Sequence, residues 1–293
     1  PSLMRYDVMM RPDTAVSFLI PALVASLAGC TDPAKQEQIA IDALAKVAPL
    51  ADADAAQVRR GLPEGAKKLG EHIDAEPDTN LVALQRVILG ARVNTEDLRT
   101  SKCTFFSFAD STGVVLRSEV DPDNLAQKQL FTVFPGLKKA LEPNAGIAEA
   151  WGDMEEMRVA KMGPEYQWVL AHAVKDKAGQ TKGLFVTGWS LRRFAYHIDQ
   201  AAKGELLKVA ERERATKVPL VYAFVMKDGK AYGGPMAPDV NARALEGLDL
   251  PTKTQSGVYR GHVEVTGRTF GVAAQKAPNL GESIILSIMI SEV

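Results

Sequence analysis

Cys103-Thr104-Phe105-Phe106-Ser107-Phe108-Ala109-Asp110-Ser111-Thr112-Gly113-Val114-Val115-Leu116-Arg117 decides the fold class. Thr104 to Ala109 is rich in phenylalanine and reads as a strand. Asp110-Ser111-Thr112-Gly113 is turn chemistry, with a glycine available for positive φ. Val114 to Arg117 resumes the strand, so the stretch is a hairpin. Everything before it has a different period. Ile41, Leu44 and Val47 share one helical face, and Pro49 and Gly61-Leu62-Pro63 are expected to punctuate that helix. Leu81, Leu84, Val87 and Ile88 repeat the helical period after Asp78-Thr79-Asn80, which offers N-cap residues.

Beyond the hairpin, 123–141 reads as helix broken at Pro135-Gly136. Gly146 to Trp151 reads as a short strand, and Gln167–Val174 and Gly183–Trp189 as longer ones. Ser190 opens a connector helix through Leu191, Phe194, Ala195, Ile198 and Ala202, running to about Arg214. The same order then recurs. Leu220–Met226 is a strand, Lys227-Asp228-Gly229-Lys230 a tight turn, and Asp239–Glu246 a short helix. Val258–Val265 alternates polar and apolar as a half-buried strand does. Arg268–Gln275 and Ser283–Ile290 complete the set. The expected fold is α+β: an N-terminal helical stalk, then two modules, each with a five-stranded antiparallel sheet. The expected boundaries are 30–102 for the stalk, 103–189 for the first module, 190–214 for the connector and 215–293 for the second module.

Ahead of the stalk, Ala15 to Cys30 reads AVSFLIPALVASLAGC. An apolar run of this length falls short of the roughly 20 residues a membrane-spanning helix needs. It suits the apolar core of a secretory signal over 1–29. Leu27-Ala28-Gly29-Cys30 resembles the lipobox of bacterial lipoproteins, which implies lipidation of Cys30 and a periplasmic, membrane-anchored protein. Thr31 follows Cys30 where an inner-membrane retention signal would place Asp, so sorting leans to the outer membrane. With Cys30 acylated, Cys103 is a lone thiol, read as a buried small hydrophobe.

The chain has 35 basic and 36 acidic residues and no basic stripe, which argues against a nucleic-acid partner. Its four histidines, His72, His172, His197 and His262, have no zinc spacing, and no nucleophile elbow or P-loop occurs. His197 and His262 read as surface residues. Asp153, Glu155 and Glu156 read as a solvated loop. No catalytic residue, metal site or cofactor is expected.

Phe108-Ala109-Asp110-Ser111-Thr112-Gly113-Val114-Val115, Leu130 to Leu141 and Leu170 to Gly188 resemble the first hairpin, the aromatic helix region and the last hairpin of double Cache domains. These are PAS-like extracytoplasmic sensory domains. The resemblance implies a sensor that binds a small molecule without turning it over, in a pocket on one sheet face of the first module. Trp151, Arg158, Tyr166, Trp168 and His172 are the expected ligand residues, with Arg158 suited to a ligand carboxylate. The family's amine-recognition pattern is not intact, since Arg158 precedes Tyr166 and Trp168 at a different spacing. No effector follows the second module, so the signal is expected to pass to an envelope protein partner. The alternative expectation is an accessory lipoprotein that docks on an envelope receptor or machine without a small ligand.

Overall fold

The computed structural model describes residues 32–73, 76–159 and 163–292, with side chains throughout except at 156–159 and 163. Helix α1 (Pro33–His72) is followed by α2 (Leu81–Val93) and the single turn α3 (Glu96–Arg99). Strands β1 (Phe105–Ala109) and β2 (Val115–Ser118) come next, then the single turn α4 (Leu130–Val133) and a 3-10 segment, Pro135–Leu141. Strands β3 (Ala148–Val159), β4 (Gly163–Lys175) and β5 (Thr181–Ser190) lead into α5 (Leu191–Glu213). The second half comprises β6 (Leu220–Lys227), β7 (Lys230–Gly233), α6 (Asp239–Glu246), α7 (Leu250–Lys253), β8 (Tyr259–Val265), β9 (Arg268–Lys276) and β10 (Ile284–Ser291). The first sheet has the order β2-β1-β5-β4-β3 and the second β7-β6-β10-β9-β8, so the halves share one topology. Every pairing is antiparallel.

Helix α1 lies along both sheets and is one continuous 40-residue helix, not a helix divided at its prolines. An interior proline costs about 3 kcal/mol. Leu44, Val47, Val58, Leu62 and Leu69 are each no more than 1% exposed along the same helix. Each buried side chain of this kind contributes about 1.5–3 kcal/mol. Packing on both sides of Pro49 and Pro63 therefore outweighs them. The Asp32 side chain caps the N-terminus, accepting from the Ala34 amide at 3.0 Å.

Two further expectations are corrected. Residues 123–141 form a loop carrying only α4 and the 3-10 segment. The Asp123 carboxylate gathers the amides of Ser118, Leu125 and Ala126, a local polar turn that competes with helix. Asp153 and Glu155 lie within β3, which continues past Trp151 because it pairs with β4 as far as Val159.

The local signals hold. Asn80 caps α2 through Ala83, Ser190 caps α5 through Arg193, and Asp228-Gly229 turns β6 into β7 with φ of 51° and 81°. His262 and His197 are paired rather than free. His262 Nδ1 lies 2.8 Å from Glu37, and His197 Nε2 lies 3.1 Å from Asp54, both on α1.

Candidate functional site

Successive side chains on a strand point to opposite faces, and the first sheet uses its two faces differently. Phe106, Phe108, Trp168, Leu170, Phe185 and Trp189 face α1. Phe105, Ala109, Val169, Ala171, Leu184 and Val186 face the crossing loop, which lays Leu130, Phe134 and Leu137 over them.

Of the expected ligand residues, Trp151, Tyr166, Trp168 and His172 lie on the sheet face turned away from the crossing loop; Trp151 and Trp168 are in contact, whereas His172 lies further along β4 in a separate pocket. Trp168 is fully buried, stacks on Trp151 at 5.9 Å and meets Trp189 edge-on at 4.8 Å. Its Nε1–H donates to Glu149 Oε2 at 2.9 Å. Tyr166 stacks on Tyr232 of the second sheet at 5.3 Å, and burial raises its phenol pKa. His172 Nδ1 bonds the Ala173 carbonyl at 2.9 Å, and the ring lines a shallow pocket of about 350 Å³ with Lys67, Glu71 and Lys175. The Arg158 side chain lies outside the described residues.

The loop-facing side has a different chemistry. Its floor is built from small residues set opposite one another. Ser107 pairs with Val186, Val186 with Ala171, and Ala171 with Ala148; Gly188 pairs with Val169, and Val169 with Ala150. Beside them stand Gln167 and Ser107, both with no exposed surface, and Glu165, whose side chain is 2% exposed. Gln167 Nε2, Ser107 Oγ and Glu165 Oε1 are buried without hydrogen-bond partners. Such a group costs about 1–3 kcal/mol when left unpaired. Three on one sheet face are a concentration of unmet hydrogen-bonding capacity.

The rest of the cluster is engaged. Ser190 Oγ donates to Glu165 Oε2 while accepting from the Arg193 amide at 3.3 Å, so Glu165 sits at the start of α5. Arg192 Nε lies 3.8 Å from Glu165 Oε1. Burial raises the Glu165 pKa, with Arg192 and then Arg193 opposing it. At the sheet edge, Gly136 and Lys139 of the 3-10 segment and Ala145 to Glu149 enclose a cleft of about 400 Å³. Ala148 belongs both to that cleft and to the floor. Unpaired amide, hydroxyl and carboxyl groups over a floor of small residues suit recognition of a small polar molecule by hydrogen bonding. Among the described residues no group of three or more His, Cys, Asp or Glu is placed to hold a metal.

The sequence places Gln167 at the start of a strand but leaves Glu165 outside it, whereas β4 begins at Gly163. Nothing in the pattern says which face a helix will cover.

Neither a protein-family model nor a curated protein matches the chain. Solved structures do. The extracellular domain of vpHK1S-Z8, named as a histidine kinase, superposes with a TM-score of 0.56 at 10% identity, covering 89% of this chain and 92% of that one. The sensor domain of the V. cholerae histidine kinase DctB gives 0.50 at 11%, covering 89% and 98%. The fold is that of double Cache sensor domains. An extracellular ligand binding receptor from Desulfohalobium retbaense DSM5692 matches at a TM-score of 0.47 and 13% identity over 85% of this chain, which spans only 39% of that receptor. At 10% and 11% identity the two histidine-kinase sensor domains share the fold, and no site residue carries over from them.

Proposed function

We propose that this protein is a lipid-anchored sensory protein of the cell envelope. It binds a small polar ligand on the loop-facing side of its first sheet and passes the signal to a partner, without turnover. The observation that carries this reading is the set Gln167, Ser107 and Glu165, buried on one sheet face with unmet hydrogen-bonding capacity. A ligand that presents an acceptor to Gln167 and a donor to Glu165 would satisfy them, and small carboxylates bearing a donor group belong to that class. Trp168 already donates to Glu149, whereas Gln167, Ser107 and Glu165 have unpaired polar atoms, so we assign the face opposite to Trp168. A thermal-shift screen of small carboxylates, amines and amides tests the reading. A ligand at one hundred times its Kd adds about 2.7 kcal/mol, and a screen with no stabilising compound counts against it.

The anchor reading rests on Leu27-Ala28-Gly29-Cys30, outside the described residues. Among the described residues no helix is long and apolar enough to cross a membrane. Metabolic labelling with a fatty-acid analogue, lost in Cys30→Ser, tests the anchor. A second reading, docking on an envelope protein without a small ligand, is favoured by one feature. Val82, Leu89 and Val93 form an exposed apolar stripe on α2, at 60%, 45% and 44% exposure.

A further inference from the structure

Arg59 of α1 is held by both halves of the molecule. Its guanidinium grips Glu149 of β3 with two bonds, Nε to Oε1 at 2.7 Å and Nη2 to Oε2 at 2.9 Å. Its Nη1 donates to the carbonyl of Asn279, in the turn between β9 and β10 of the second sheet. Its plane lies over the Trp168 ring, 4.9 Å from the centroid, and Trp168 donates to the same carboxylate. Only a planar, multidentate cation can make all of these contacts at once; a lysine ammonium supplies a point charge.

Neighbouring contacts follow the same route. Trp151, two residues beyond Glu149, packs against the second sheet. A β-carbon at Gly281 would lie 3.2 Å from the Trp151 ring, and Lys227 Nζ is 5.9 Å from the ring centroid. From Trp151 the rings continue through Trp168 and Trp189 to Phe194 of α5, the last pair stacked at 4.3 Å. The backbone of Glu149, meanwhile, lines the cleft beside Gly136, opposite to where its carboxylate is gripped.

We propose that Arg59 is a coupling residue: it ties β3 to the β9–β10 turn through Glu149, so that a displacement of β3 at the cleft is felt in the second sheet. That the displacement comes from a bound ligand rests on the function proposed above; the coupling itself does not.

The test therefore needs no ligand. In calorimetry the wild-type protein is expected to unfold in one transition and Arg59→Met in two. In hydrogen exchange, Glu149→Gln, a first-sheet substitution, speeds the amides of Leu280 and Gly281 in the second half by about tenfold. Arg60→Met, which breaks the neighbouring pair with Asp97 of α3, leaves both readouts unchanged. Should Arg59→Met fail to fold, Arg59→Lys keeps the charge and is expected to give the same split. A single transition in the Arg59 variant, together with unchanged exchange at Leu280 and Gly281 in Glu149→Gln, overturns the proposal and leaves the ligand reading standing.

Discussion

Gly271 of β9 meets the backbone of Gln36 on α1 so closely that a β-carbon at 271 would collide with the Gln36 carbonyl group. Here the long helix rests on the second sheet, with Gln36 fully buried. Both collision partners are backbone, so no rotamer change relieves the clash. Gly271→Ala is expected to destabilise by about 3 kcal/mol, the upper part of the range for overpacked cores. Chemical denaturation checks this, and a loss below about 1 kcal/mol would show that the helix can shift freely on the sheet.

The same contact carries a charge cluster. Glu37 accepts from Arg260 Nε at 2.9 Å and lies 2.8 Å from His262 Nδ1. The hydrogen bond from His262, with help from Arg260, holds the Glu37 carboxyl below its ordinary value of 4.5. A depressed folded-state pKa contributes stability above 4.5 that is lost as pH falls through the folded value. Glu37→Gln should therefore show a smaller drop in Tm below pH 4.5 than the wild type. Equal drops would place the acid sensitivity elsewhere.

Glu165 works in the opposite direction. Burial raises its pKa, so its contribution is present below 4.5 and is lost as pH rises through the folded value. Glu119, raised by burial against the pull of Arg92, adds a component of the same sign. Glu165→Gln keeps an acceptor for Ser190 and removes the buried charge. Its Tm should fall less than that of the wild type between pH 4.5 and neutrality, with the remaining slope from Glu119. A steeper fall would mean that the carboxylate form stabilises the site.

Cys103 is half-buried, and desolvation pushes its thiol up to about 11. The thiolate is the reactive form. Alkylation of the native protein by iodoacetamide at neutral pH should be at least tenfold slower than in denaturant. Comparable rates would reopen a reactive role for this thiol.

What the sequence made legible was local. Asn80, Ser190 and Asp228-Gly229 act through neighbours a few residues away, so their roles can be read from spacing. The repeated strand order was legible for the same reason. The continuity of α1 through Pro49 and Pro63 was not, because it depends on packing against sheets far along the chain. Nor was the role of Trp168. Its strand alternation was plain, but which face would receive α1 is a tertiary fact, and that fact makes Trp168 part of the helix-sheet interface and leaves Gln167 facing the loop.

The central claim is that the first sheet binds its ligand on the side of Gln167. Amide chemical-shift mapping with the best stabilising compound from the thermal-shift screen tests it most directly. Perturbations are expected to centre on Ser107, Gln167 and Gly188 and to be abolished in Gln167→Leu. Perturbations centred instead on Lys67, His172 and Lys175, and retained in Gln167→Leu, would contradict it.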